Sequence, residues 1–212
     1  MKHSRLRREI IVAARSFTAR GLGVGTAGNL SVRVAEGFLI TPSGVPYDSL
    51  RPSDIVLLDP RGTVVSGSLA PSSEWRFHRD VYAKRPEAGA VVHVHSPYAT
   101  AIACTRRDIP AFHYMVAVAG GDSIRCAAYA TYGTGELSRN ALRALAGRRA
   151  CLLANHGLIA LGADLRAALA LAEEVEELAR QYWLASQFAR PVILGRKEMQ
   201  RVLERFRHYR RE

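Results

Sequence analysis

His93 and His95 stand one residue apart at the end of the apolar run Ala90-Val91-Val92-His93-Val94-His95, and His156 follows a second apolar run in Asn155-His156-Gly157. A strand has a side-chain period of two, so residues 93 and 95 leave one face while Val92 and Val94 leave the other. Neutral imidazole is a preferred zinc ligand, and three protein ligands with one open position characterise catalytic rather than structural zinc. A lone His-x-His pair is more often the polar end of a buried strand. The third histidine, together with Glu74, reverses that balance. A metal held by His93, His95 and His156 can polarise a ketone or stabilise an enediolate, and Glu74 on a nearby helix can move the proton that such chemistry requires. Those are the parts of carbon–carbon bond cleavage beside a carbonyl.

Three polar dipeptides point to a second component. Hydroxyls and amides at Gly28-Asn29, Ser43-Gly44 and Ser72-Ser73, the last pair just before a predicted helix, can together hold a phosphate without a lysine. Each alone is also a common turn dipeptide, and Ser72-Ser73 with an acid in the first turn reads equally as a plain helix cap. Gly23-Val24-Gly25-Thr26-Ala27-Gly28 satisfies G-x-G-x-x-G, but that dinucleotide motif needs a strand before it and a helix after it. Here the predicted order is helix then strand, so the match is set aside.

The elements that must position these residues follow from periodicity. Leu6, Ile10, Ile11, Ala14 and Phe17 recur at helical spacing before Gly21. Residues 29–34 and 37–41 read as one hairpin, and 55–59 and 63–66 as another through Pro60-Arg61-Gly62. A helix follows Glu74, another spans about 96–104, a strand lies near 126–129, and a helix covers about 135–146. Strands at 150–154 and 158–161 then flank His156. Asp164 caps a long helix to about residue 189, whose Glu173, Glu174, Glu176 and Glu177 are expected to face solvent. Pro191 ends it, and a short helix carries a basic tail from about residue 207. No repeat or linker divides the chain, so one domain over 1–212 is expected.

Composition limits the class. The 212 residues are 48% hydrophobic and 23% charged, as in ordinary soluble globular proteins and unlike disordered ones. No apolar stretch approaches a bilayer span, and residues 1–5 do not lead into a signal-peptide core, so a cytoplasmic protein is expected. Cys104, Cys126 and Cys151 are too few and too scattered for a disulfide framework or a Cys-x-x-Cys knuckle, and read as buried thiols. The net charge of +11 gathers at the ends, in Arg5, Arg7 and Arg8 and in Arg201, Arg205, Arg207, Arg210 and Arg211. No zinc finger, RNP-like aromatic motif or basic heptad supports nucleic-acid binding, and a solvated face accounts for the same charge.

Taken in order, Gly25-Thr26-Ala27-Gly28-Asn29, Leu39-Ile40-Thr41-Pro42-Ser43-Gly44, Pro71-Ser72-Ser73-Glu74-Trp75-Arg76-Phe77-His78, the His93/His95 run, Ile109-Pro110-Ala111-Phe112-His113-Tyr114-Met115 and His156-Gly157-Leu158-Ile159 resemble the class II aldolase/adducin family. The resemblance implies a three-layer α/β fold, a central mainly antiparallel sheet flanked by helices, in a cyclic homotetramer with sites between subunits. It implies zinc on His93, His95 and His156, with Glu74 as acid/base and a ligand when substrate is absent. It places phosphate on Gly28, Asn29, Ser43, Gly44, Ser72 and Ser73. It gives Tyr114 of an adjacent subunit the aldehyde oxygen, and Tyr209 a place on a tail that covers the site. The implied reaction is retro-aldol cleavage of a ketose 1-phosphate such as L-fuculose 1-phosphate, through a zinc-stabilised enediolate, to dihydroxyacetone phosphate and an aldehyde. Other activities occur on the same scaffold: a methylthioribulose-phosphate dehydratase and a decarboxylase of phosphorylated sugar acids stay open, whereas the 4-epimerases resemble a version with aspartate at the Glu74 position, which argues against them, and the three histidines with Glu74 argue against a non-catalytic adducin-like domain.

Overall fold

A computed structural model describes residues 2–209, with side chains as far as residue 207. Its helices are α1 (Ser4–Arg15), α2 (Trp75–Lys84), α3 (Pro97–Cys104), α4 (Gly135–Ala144), α5 (Leu165–Phe188) and α6 (Arg196–Tyr209). The strands are β1 (Asn29–Val34), β2 (Gly37–Ile40), β3 (Val56–Leu58), β4 (Val64–Ser66), β5 (Ala90–Val94), β6 (Ile109–Pro110), β7 (Ser123–Ile124), β8 (Cys126–Ala127), β9 (Ala150–Leu153) and β10 (Gly157–Gly162). Eight strands form one sheet in the order β4-β3-β2-β1-β5-β10-β9-β8, antiparallel except for the β8–β9 pair, while β6 and β7 pair separately.

Strict alternation sends the sheet's side chains into two cores. Leu30, Val92, Val94, Leu152, Leu158 and Ala160 face α1, α3 and α5. Phe38, Ile40, Val91, Cys151, Leu153 and Ile159 face α2 and α4. Helices therefore cover both faces, as the three-layer expectation required. The Asp164 carboxylate accepts from the Ala167 amide at 2.7 Å, giving α5 its predicted cap.

Four expectations need correction. Ser72 and Ser73 do not cap α2: Glu74 occupies the cap position and no acid lies in the first turn, because the Glu74 side chain turns inward to the site. Glu176 is buried rather than solvated, since its carboxylate accepts from the amides of Tyr98 and Ala99, both at 2.8 Å, and so satisfies the N-terminus of α3. Arg7 is buried too, its guanidinium donating to the carbonyls of Pro52 and Ile55 and to Ser66 Oγ. Finally, Cys104 is exposed and Cys126 half-buried, leaving only Cys151 in the core. No helix among the described residues is long and apolar enough to cross a membrane.

Candidate metal centre and its cavity

The four residues singled out by spacing meet in space. His93 closes on the α2 side of β5, and His95 follows just beyond the strand's end. His156 is delivered by the tight turn between β9 and β10, where Asn155 adopts φ +55° and the His156 amide donates to the Leu153 carbonyl at 3.0 Å. The β5–β10 register pairs Leu158 with Val94, which sets His156 beside His95. Gly157 makes the approach possible: a Cβ there would lie 2.4 Å from the Val94 carbonyl oxygen and 2.8 Å from the His95 ring.

The three imidazoles form a near-equilateral triangle. Every pair of ring centroids is 4.8 Å apart, with interplanar angles of 72°, 78° and 68°. His95 Nε2 and His93 Nε2 are 3.0 Å apart. Glu74 Oε2 lies 3.1 Å from His93 Nε2 and Oε1 lies 3.3 Å from His156 Nε2. Ligand atoms at zinc–nitrogen distances of about 2.0–2.1 Å and tetrahedral angles are separated by about 3.3 Å, so this spacing suits one shared ion.

Proton accounting points the same way. His93 Nδ1 is 2.9 Å from the Leu158 carbonyl, which can only accept, so Nδ1 carries the proton and the Nε2 lone pair faces the cluster. Glu74 Oε1 is buried with no hydrogen-bond donor aligned on it. Lone pairs converging on a point without donors call for a cation. His95 and His156 are both held neutral, pushed down to about 4 by burial and by His93. Burial works to raise Glu74, but His93, His156 and the Asn29 donor outweigh it and keep the carboxyl far below the usual carboxylate range. Burial likewise works against a charge on His93, yet Glu74 and the Leu158 carbonyl push it up, so the proton that His93 then holds on Nε2 is the one a bound cation would displace. Among the described residues, these four are the ones whose ligand atoms all lie within 4.8 Å of one another.

Beside the cluster opens a cavity of about 360 Å³, bordered by Glu74, His95 and His156 and by all six predicted phosphate residues, Gly28, Asn29, Ser43, Gly44, Ser72 and Ser73. Local folding explains the convergence. The Ser43 amide donates to the Ala70 carbonyl and the Ser72 amide to the Thr41 carbonyl, each at 3.0 Å, which zips the two serine loops together. Tyr47 OH donates to the Gly28 carbonyl at 2.8 Å and holds the glycine loop against them. Gly28 itself has φ +94°, and a Cβ would meet the His93 carbonyl at 2.6 Å. Among the described residues no lysine or arginine borders the cavity, and the polar groups it offers are backbone amides, hydroxyls and the Asn29 side chain.

Tyr114, expected to serve an adjacent subunit's site, does not border this cavity in its own chain. Tyr114 is half exposed, stacks on His113, and borders a different hollow with Phe112 and Phe206. The Tyr209 side chain lies outside the described residues. Conversely, Tyr129, Tyr132 and Asn155 line the site cavity without having been anticipated. The two tyrosines follow β8 in a segment whose only sequence signal was that of a strand end. Asn155 was visible as a neighbour of His156, but nothing in the sequence marked its left-handed backbone.

Known proteins share this sequence and fold. The family described as Class II Aldolase and Adducin N-terminal domain matches residues 8–183. A 5-methylthioribulose-1-phosphate/5-deoxyribulose-1-phosphate aldolase of Rhodospirillum rubrum is 60% identical over 204 residues, covering 96% of this chain and 92% of that protein. An L-fuculose phosphate aldolase of Escherichia coli K12 is 50% identical over 210 residues, covering 99% of this chain and 97% of that one. A solved L-fuculose 1-phosphate aldolase superposes with a TM-score of 0.93 at 45% identity, covering 98% of both chains. With matching fold, matching length and three histidines meeting one glutamate, the chain belongs to the class II aldolase and adducin family.

Proposed function

We propose that the protein is a metal-dependent aldolase that cleaves a ketose 1-phosphate into dihydroxyacetone phosphate and a short, uncharged aldehyde. The observation that carries this reading is the equal triangle of His93, His95 and His156 with Glu74 at its edge, opening on a cavity lined by hydroxyls and backbone amides. The donor set of three imidazoles and a carboxylate suits zinc. When bound, such an ion supplies Lewis-acid polarisation of the substrate ketone.

The chain's own groups do the rest. Gly28, Asn29, Ser43, Gly44, Ser72 and Ser73 hold the C1 phosphate and fix the position of C3 and C4 relative to Glu74. As the C3–C4 bond breaks, the C4 hydroxyl loses its proton and becomes the aldehyde, while the electron pair left on C3 takes up a proton. Glu74 is the group placed to carry that proton, because its Oε1 faces the cluster without a donor.

The expected substrate in the sequence reading was L-fuculose 1-phosphate. The 60% identical relative is named for 5-methylthioribulose 1-phosphate and 5-deoxyribulose 1-phosphate, and the 50% identical one for L-fuculose phosphate. All three compounds release the same triose phosphate and differ only in the aldehyde. Higher identity favours the 5-deoxypentulose phosphates. A side-by-side assay of the three sugars with zinc-replete enzyme tests this: cleavage fastest with a 5-deoxypentulose phosphate is expected, and no release of dihydroxyacetone phosphate from any of them refutes the reading. We also infer, from the family resemblance, a homotetramer in which Tyr114 serves a neighbour's site, and the exposure of Tyr114, Phe188 and Val192 is compatible with burial between subunits; sedimentation gives the subunit number directly.

A further inference from the structure

A line of buried hydrogen bonds leads away from the metal cluster beneath the cavity. Asn29 Nδ2 donates to Glu74 Oε2 at 3.0 Å, and Asn29 Oδ1 lies 2.6 Å from His78 Nε2. His78 Nδ1 lies 2.7 Å from Ser31 Oγ, which in turn is 2.7 Å from the Tyr82 hydroxyl. All five side chains are buried, His78 and Ser31 completely. His78 is also stacked on Phe77 with centroids 4.5 Å apart, so its ring plane is fixed by packing.

The direction of every bond follows from one end. A carboxylate only accepts, so the Asn29 amide must present Nδ2 to Glu74, which leaves Oδ1 toward His78. Oδ1 only accepts, so His78 carries its proton on Nε2. Burial and the nearby His93 keep the ring neutral, which makes Nδ1 an acceptor for the Ser31 hydroxyl. Ser31 Oγ then accepts from Tyr82. Each member has one role, and reversing any of them opposes two acceptors or two donors among buried side chains.

We propose that His78 is the positioning residue of this site: by locking the Asn29 amide it saturates Glu74 Oε2 and leaves Oε1 as the oxygen that carries the catalytic proton. A flipped Asn29 would set its carbonyl against the carboxylate and turn an acceptor toward the bound phosphate. The lock therefore serves the proton carrier with one N–H and leaves the other for the cavity that Asn29 borders. His78 touches neither substrate nor metal. Its rate consequences rest on the aldolase reading above, whereas the bond directions do not.

The test has two readouts. Nitrogen-15 NMR of the histidine rings, with His78→Gln to assign the resonance, is expected to show His78 neutral with the proton on Nε2; a proton on Nδ1 overturns the proposal. In steady-state assays His78→Phe, which keeps the stacking and loses the donor, is expected to lower kcat/KM about 30-fold, or about 2 kcal/mol at 1.36 kcal/mol per decade. His78→Gln, whose amide nitrogen can replace Nε2, is expected to recover to within about fivefold of the parent, since a donor again faces Asn29. A folded His78→Phe within about threefold of the parent overturns the proposal, as does equal loss in the Phe and Gln variants. If His78→Phe does not fold, Ser31→Ala replaces it: the ring keeps its proton on Nε2, which Asn29 sets, while the loss of the Nδ1 partner loosens the ring and lowers the rate, and an unchanged rate overturns the lock. A parent protein inert on every ketose phosphate refutes the aldolase reading alone. The lock is then judged by ring tautomer and by calorimetric binding of inorganic phosphate, which the Phe variant should weaken and the Gln variant restore.

Discussion

Glu74→Gln separates the chemistry of the site from its architecture. The side chain is buried, with Oε2 taking a 3.0 Å hydrogen bond from Asn29 and Oε1 lying 3.3 Å from His156 Nε2. Glutamine has the same shape. Its carbonyl can keep the Asn29 bond while its NH2 faces His156, so packing is retained and no acceptor is stranded. What disappears is a group able to take and return a proton. General acid–base catalysis by a positioned side chain contributes about 10²–10⁴-fold, or about 2.7–5.4 kcal/mol of barrier at 1.36 kcal/mol per decade. The variant should therefore keep its melting temperature to within a few degrees and its metal content, because three imidazoles remain, while kcat falls by about a thousandfold. The assay couples dihydroxyacetone phosphate release to NADH oxidation, with metal content measured by mass spectrometry on the same sample. A metal-loaded, folded Glu74→Gln retaining more than about a tenth of the parental kcat refutes Glu74 as the proton carrier.

Three further outcomes are expected. Removing a group that merely supports a metal ligand costs about 10–100-fold in affinity, so losing a ligand outright in His95→Ala should weaken metal binding by at least about 100-fold; an unchanged metal stoichiometry after dialysis rejects the triangle as the binding site. Stripping the metal with a chelator should lower thermal stability: at 100 times Kd the bound ion contributes about 2.7 kcal/mol, or about 5–10 °C for a chain of this size, and an identical melting curve for both forms contradicts a preformed site. The third concerns pH. His78 is pushed from its ordinary 6.5 down to about 3 by burial and by His93, so between those values the unfolded chain holds the proton and the folded one does not. Stability of the metal-free protein must then fall as pH drops below about 6.5, with no contribution from His78 above it. Urea titrations across this range should show that slope, and His78→Gln should flatten it; a variant with the parental slope disproves the buried neutral ring.

Much of this was legible because two signals were local. Alternation in β5 and β10 put His93 and Ile159 on the α2 face and Val92, Val94, Leu158 and Ala160 on the other, as their spacing implied. Helix starts such as Asp164 also lie within a few residues of what they cap. The misreadings share a cause, since a charged residue's environment depends on elements remote in sequence. Glu176 sits at helical spacing among other glutamates and looks solvated. Its partner amides belong to residues 98 and 99, across the interface between α3 and α5. Arg7 is buried because the carbonyls of residues 52 and 55 cross over it. Tyr129 and Tyr132 reach the cavity only through the parallel pairing of β8 with β9, a join that no local pattern announces.

The β1–β5 register explains why the site lies where it does. Asn29 is paired with His93 and Ser31 with Val91, so on the face turned to α2 a polar column crosses a layer otherwise filled by Phe38, Val91 and Ile159. Filling positions 29, 31, 78 and 93 with aliphatic residues of similar volume would cost little stability and could increase it, because desolvating polar and ionic groups offsets most of what their pairing returns. Leaving any one member unpaired costs about 1–3 kcal/mol. A column of this kind is stable only when complete, and its completeness here runs from Tyr82 to Glu74 without a gap. The exception is Glu74 Oε1, the single buried carboxylate oxygen among the described residues with no donor aligned on it. It borders both the imidazole triangle and the cavity, so the one point where the network fails to satisfy itself is also the point where a reacting atom can be reached.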